Sequence, residues 1–397
     1  MPVNIPETAL KRIVIIGAGF GGLKLAQKLM GMGYQVVLFD KNNYHQFQPL
    51  FYQVATSGIE PSSILFPLRK IFQKRKDMYI RVAEVYSVDT KKKELATSLG
   101  TAWYDYLVIG TGVNSNFFGM KNMEEYAIPM KSVSEAMSLR NRLLLSFEKA
   151  VTLRDQNEKK ALLNIFVVGG GPTGVEVAGA IAEMKNFVLP KDYPDQNFDL
   201  MQINLVEGSG ALLGGMSEHA SKKALFYLKR LGINVLLNTR VTDYDGNYLS
   251  FGDGVKIRTQ TVIWAAGISG EVPAGLPNET IGRGKRLVVD EFNKIIGFDD
   301  IYAIGDVSLM STPKYPNGHP QVAQVAIQQG LNLSKNFIAM LNHSSMKPFR
   351  YTDRGSMATI GRNRAVADLP FIKFSGFIAW LTWMFVHLMA IVGVKNR

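Results

Sequence analysis

The chain has 397 residues, 47% hydrophobic and 20% charged, which suits two or three globular domains and excludes a disordered polypeptide. It contains no cysteine, so disulfides, thiolate nucleophiles, Cys-ligated zinc, iron–sulfur clusters and Cys-x-x-Cys redox pairs are ruled out. Lys and Arg outnumber Asp and Glu by 45 to 33, yet no block of like charges makes a nucleic-acid arm; the excess points instead to anionic cofactors or anionic lipid.

The opening run MPVNIPETALKR leads straight into a strand, and no signal or transit peptide is expected. RIVII (12–16) then runs into GAGFGG, and NIFVV (164–168) into GGGPTG. Three further runs, YDYLVIGTG (104–112), QTVIWAAGI (260–268) and DDIYAIGD (299–306), end in glycine without opening a long helix. Continuous apolar runs of this length read as strands buried on both faces, so the fold class is α/β with parallel sheets.

Each glycine group has the context that turns a weak motif into a strong one. Gly17, Gly19 and Gly22 follow a strand and precede an amphipathic stretch, and the next strand, QVVLFD, ends in Asp40. The first glycine makes the tight turn, the second lets backbone approach a pyrophosphate, and the third permits close helix–strand packing. The acid accepts hydrogen bonds from a ribose, and the helix N-terminus favours the anion. The second copy has Gly169, Gly171 and Gly174, a helix from about Val175 to Lys185, and Glu207 at the end of MQINLVE. The run NFVLPKDYPDQNF between them is expected to be an inserted loop. A carboxylate at 207, followed by GSGALL without an arginine, favours NADH over NADPH. Two dinucleotide folds imply electron traffic between cofactors, with a flavin (FAD) on the first and NADH on the second as the economical pairing.

The order of motifs predicts an insertion: a FAD-binding domain in two parts, 1–125 and 290–345, around an NADH-binding domain at 126–289. Residues 346–397 form a C-terminal membrane-associated helical region. There, Phe374 to Val394 carries no formal charge and is bracketed by Lys373 and Lys395. Its length and hydropathy make it a transmembrane candidate, while its Phe and Trp content with basic ends suits a helix lying in the membrane interface. A buried helix at the end of the chain is the third reading. Trp380 and Trp383 are expected to be interfacial anchors. His45 and His387 have no neighbours spaced to form a metal site.

These residues resemble the type II NADH:quinone oxidoreductases, and the resemblance covers nearly the whole chain. It is carried by NNYHQFQPLFYQVATSGIEPSSILFPLR after Asp40, GTGVN (110–114), GGGPTGVEVAGAIAE (169–183), WAAGI (264–268), AIGDVS (303–308), AQVAIQQ (323–329) and the apolar tail. The resemblance implies two-electron transfer from NADH through FAD to a quinone, menaquinone or ubiquinone, without proton pumping. It implies a peripheral enzyme on the cytoplasmic face of the cell inner membrane, and it admits a homodimer. Asp306 would hold the FAD ribityl chain, and Phe20, Gly21, Lys41, Gly112 and Gly267 complete the cofactor-binding set. Glu176 would sit near the nicotinamide–flavin contact, with Gln324 and Gln328 facing the quinone head. Without the resemblance, Glu176 would serve only the helix dipole and Gln324 only a helix start. The missing cysteines exclude thiol–disulfide and sulfide:quinone chemistry. A redox-sensing interaction protein with the same two cofactors is the rival from another class.

Overall fold

The computed structural model describes residues 1–73, 77–194 and 198–395. The first layer is β1 (Arg12–Ile16), α1 (Phe20–Leu29), β2 (Gln35–Asp40), β3 (Met78–Val82) and β4 (Tyr106–Ile109). The chain then builds β5 (Ile128–Pro129), α2 (Val133–Thr152), β6 (Asn164–Val168), α3 (Pro172–Glu183) and β7 (Gln202–Val206). Helix α4 (Glu218–Arg230), β8 (Asn234–Leu236) and β9 (Thr261–Trp264) complete that second unit. Strand β10 (Ile301–Ala303) and α5 (Ala323–Leu341) follow.

Two five-stranded sheets result, in the orders β10-β4-β1-β2-β3 and β5-β9-β6-β7-β8. Every pairing in both is parallel, with registers such as Val14↔Val37 and Val167↔Leu205. Parallel strands covered on both faces favour apolar side chains, which is why RIVII and NIFVV are buried throughout and run apolar after one buried polar residue, Arg12 or Asn164. Strand β10 pairs with β4, so the chain leaves the first sheet, builds the second and returns to finish the first. Helices α1 and α5 cross at glycines: a Cβ on Gly330 would lie 2.5 Å from the Gly21 carbonyl, and one on Gly21 would lie 3.1 Å from that of Ala326.

Three differences from the sequence reading stand out. Helix α3 begins at Pro172, because proline is at home in the first turn, where its missing N–H costs nothing. The expected inserted loop is partly helical: α3 passes into a π-turn at Met184–Val188 and a short helix at Leu189–Asp192, while 195–197 lie outside the described residues. The C-terminal region is a three-stranded antiparallel sheet, β11 (Ser356–Thr359), β12 (Ala365–Asp368) and β13 (Lys373–Gly376), before a helix, α6 (Phe377–Lys395). Among the described residues no helix is long and apolar enough to cross a membrane. Helix α6 turns Ala379 and Trp383 inward and leaves Phe377, Ile378, Leu381, Met384, Phe385, Leu388 and Met389 exposed.

Candidate functional site

The two glycine loops are built alike. Gly17 and Gly169 have φ of +100° and +115°, and a Cβ at either would strike the carbonyl of Gly110 or Ala265, at the end of the neighbouring strand. Gly22 and Gly174 pack so closely that a Cβ would lie 1.9 Å and 1.8 Å from the Gly17 and Gly169 carbonyls. Gly19 and Gly171 are different: no protein atom lies within 4 Å of a Cβ built there. Each is the N-cap of its helix and offers no side-chain cap, so the first-turn N–H groups that follow, after Pro172 in the case of α3, have no capping side chain beside this open space. That is a cradle for an anion.

The acids close each loop in the same way. Asp40 accepts from the Ala18 N–H at 2.7 Å and the Asn42 N–H at 2.7 Å. Glu207 accepts from the Gly170 N–H at 2.6 Å and the Ser209 N–H at 2.7 Å. Burial raises the Asp40 pKa, and these backbone donors oppose the rise. His45, only 2% exposed, hydrogen-bonds through Nδ1 to the Ala18 carbonyl at 2.8 Å and so braces the first loop. Its Nε2 has no partner, and Phe20 packs edge-on against its ring.

One cavity of about 1420 Å³ joins these parts. Its wall includes Gly17, Gly19, Phe20, Gly21, Asp40 and Lys41 from the first loop, Gly112 from β4's end, and Gly171 and Glu176 from the second loop. Gly267, Asp306 and Gln324 also line it, as do Trp383 and His387 of α6. Gly22, Gly169 and Gly174 stand behind the wall as packing residues, and Glu207 and Gln328 are also outside it. Lys41 pairs with Glu271 across one end, Nζ to Oε1 3.4 Å.

Asp306 and Glu176, expected from the sequence, share the wall with Lys131 and Tyr52, which sequence reasoning missed, as it missed Gln329 just outside the wall. Asp306, on the turn after β10, and Lys131, just before α2, both line the cavity. Burial raises the pKa of Asp306 while Lys131 and Arg286 lower it; burial lowers that of Lys131 while Asp306 and Glu135 raise it. Gln329, 1% exposed, pins the Asp306 turn by accepting from the Gly305 N–H at 2.7 Å. Glu176, part-buried in the wall, meets the Thr359 N–H at 3.4 Å, and burial pushes its pKa up to about 8. The Tyr52 hydroxyl oxygen accepts from Gln53 Nε2 at 3.0 Å and from the Thr359 hydroxyl at 3.1 Å. Burial and then the Glu176 charge raise the Tyr52 pKa.

The glutamines of AQVAIQQ divide their work. Gln324 Nε2 donates to the Gly355 carbonyl at 2.9 Å, and its Oε1 accepts from the Arg354 N–H at 3.2 Å. Gln328 makes the same two-way clamp on Thr352, at 2.9 Å and 3.0 Å. Gln324 lines the cavity while so engaged; Gln328 does not line it. Trp383 is no interfacial anchor: it is 4% exposed, stacks on His387 with ring centres 4.0 Å apart, and approaches Tyr52 at 6.4 Å. Its position on α6's inward face, between Ala379 and His387, turns it to the cavity.

Known proteins resemble this chain in sequence and in fold. Residues 11–330 match the model of the pyridine nucleotide-disulphide oxidoreductases, and 354–397 match that of the NDH2 C-terminal domain. The type II NADH:quinone oxidoreductase Ndh of Mycobacterium tuberculosis is 34% identical over 97% of this chain and 85% of its own. The chain belongs to the type II NADH:quinone oxidoreductase family. The Staphylococcus aureus relative, also called type II NADH:quinone oxidoreductase, is 28% identical over 90% of this chain and 89% of its own. The solved structure of NDH2 from Plasmodium falciparum in complex with NADH shares the fold, with a TM-score of 0.88 at 24% identity over 96% of this chain and 94% of that one.

Proposed function

We propose that this family member transfers two electrons from NADH, through FAD, to a quinone. The single observation that carries the reading is the continuous cavity, whose wall runs from both glycine loops to the inward face of α6. When bound, FAD supplies the two-electron carrier that accepts hydride from NADH and is reoxidised by quinone. The residues present fit that group: an open anion cradle at Gly19, an acid at Asp40 for a ribose, and opposed charges at Asp306 and Lys131 on the cavity wall. In this reading 1–125 and 290–345 hold FAD, 126–289 holds NADH, and 346–397 meets the quinone and the membrane surface.

The side chains then have distinct tasks. Gly171 leaves room for the nicotinamide nucleotide's pyrophosphate, and Glu207 accepts from its ribose while repelling a 2′-phosphate. Glu176, protonated near neutrality by its burial, holds a proton at its carboxyl group on the cavity wall. The Tyr52 oxygen is already the acceptor of two hydrogen bonds, which leaves its own proton free for donation. Trp383 and His387 offer stacked flat surfaces to a quinone ring. The exposed apolar stripe of α6 supports peripheral attachment to a membrane; attachment on the cytoplasmic face and electron transfer without proton pumping belong to the same proposal and rest on the family resemblance.

The test is an anaerobic titration with NADH followed by a short-chain quinone, watching the visible flavin band. Rapid bleaching and rapid recovery are expected. Bleaching without recovery by any quinone would transfer the assignment to a redox sensor.

A further inference from the structure

The apolar stripe of α6 is not the only surface suited to a bilayer. Helix α4 buries Ala220, Ala224 and Leu228, spaced four apart, and so turns Lys222, Phe226 and Lys229 outward. It carries four cations, Lys222, Lys223, Lys229 and Arg230, against one acid, Glu218. Phe226 is 49% exposed on this face, with Lys223 Nζ at 5.9 Å and the Arg230 guanidinium at 5.5 Å from its ring centre. A cluster of surface cations is drawn to anionic lipid, and an exposed aromatic ring among them suits the headgroup level of a membrane.

Helix α4 is bonded at its start to the β12–β13 hairpin, which leads into α6, and lies close to it again near its end. At its start, the Ser217 N–H and hydroxyl donate to the Asp368 carboxylate at 2.6 Å and 2.8 Å. Near its end, a side chain on Gly376 would sit 3.5 Å from the Tyr227 hydroxyl. The hairpin tip between them puts Leu369 on the cavity wall, yet leaves Phe371 fully exposed and Ile372 58% exposed, next to exposed Lys373. A phosphate backbone would satisfy the cations but leave that tip in water. Anionic lipid covers both.

We propose that α4 and the β12–β13 tip form a docking surface for an anionic phospholipid bilayer, distinct from α6. Lys222, Lys223, Lys229 and Arg230 meet headgroup phosphates, while Phe226, Phe371 and Ile372 enter the headgroup–acyl boundary. Docking there sets the Leu369 side of the cavity against the lipid, the phase in which a quinone dissolves. This rests on the membrane reading above, with α6 supplying binding that ignores headgroup charge.

The full-length protein is sedimented with vesicles of neutral phosphatidylcholine and with vesicles containing phosphatidylglycerol. Each lysine close to an anionic surface contributes about a fivefold gain in partitioning. The Lys222→Gln/Lys229→Gln variant is therefore expected to lose roughly 25-fold in anionic binding, with neutral binding and NADH oxidation by a water-soluble quinone unchanged. Phe371→Ser/Ile372→Ser is expected to weaken binding to both vesicles. An anionic preference that survives in the lysine variant, or none in the unaltered protein, overturns the proposal while leaving the membrane reading intact. No binding to either vesicle overturns the membrane reading itself. A dimer seen by ultracentrifugation and abolished by the lysine changes reassigns α4 to a second copy of the chain.

Discussion

At the scale of single residues, the three glycines of each loop are not interchangeable, and the difference is measurable. A methyl group on Gly22 collides with the Gly17 carbonyl, whereas one on Gly19 meets no protein atom. Gly22→Ala is expected to destabilise the apoprotein by about 1–3 kcal/mol through overpacking. Gly19→Ala is expected to leave apoprotein melting unchanged and to lower FAD retention; thermal melting and the flavin-to-protein absorbance ratio separate the two. Glu176 gives a pH signature. Its pKa is raised from 4.5 to about 8, so the folded state holds a proton that the unfolded state has released between those values. The associated stability is complete below the unfolded pKa and is lost as pH rises through about 8. Glu176→Gln should therefore gain melting temperature relative to the parent as pH is taken from 6 to 9; a constant difference would show that the carboxyl is not held protonated. At position 207, Glu207→Arg should weaken NADH relative to NADPH in KM by tenfold or more, and an unchanged ratio would remove Glu207 from the ribose site.

At the scale of elements, the strands and glycine loops were legible because their causes are local. A strand buried on both faces is apolar along most of its length, and a positive-φ turn where a Cβ would strike backbone, as at Gly17 and Gly169, requires glycine. Lys131, Tyr52 and Gln329 were not legible, because their roles arise from contacts made far along the chain: Gln329 reaches Gly305, and Tyr52 reaches Thr359. The α5 glutamines illustrate the limit. Their i, i+4 spacing puts Gln324 and Gln328 on one helix face, but spacing does not say whether that face meets a ligand or a backbone. Here it meets the 352–355 segment. Gln328→Ala should leave the quinone KM within about twofold, given that the lost bonds are exposed ones of modest worth. It should speed tryptic cleavage after Arg354, where the chain has lost one of its two clamps. A fivefold rise in quinone KM with unchanged cleavage would put Gln328 in the quinone site after all.

At the scale of the whole molecule, the cavity is where the two sheets and the C-terminal helix meet, so its occupant is linked to the stability of all three. Gly19 and Asp306 come from the first sheet's unit, Lys131 and Glu176 from the second, and Trp383 from α6. A ligand that binds only the folded cavity stabilises it by RT ln(1 + [L]/Kd), about 2.7 kcal/mol at a hundredfold excess over Kd. Because the lining is shared, that stabilisation cannot be confined to the sheet that cradles the pyrophosphate. Adding FAD to the apoprotein is thus expected to raise one common transition, followed both by far-UV circular dichroism and by tryptophan fluorescence, with buried Trp264 and Trp383 reporting from the second sheet and from α6. If circular dichroism resolved two transitions and FAD moved only one, the units would be energetically separate. The cavity would then be a crevice between independent domains rather than a shared core of the catalytic machinery.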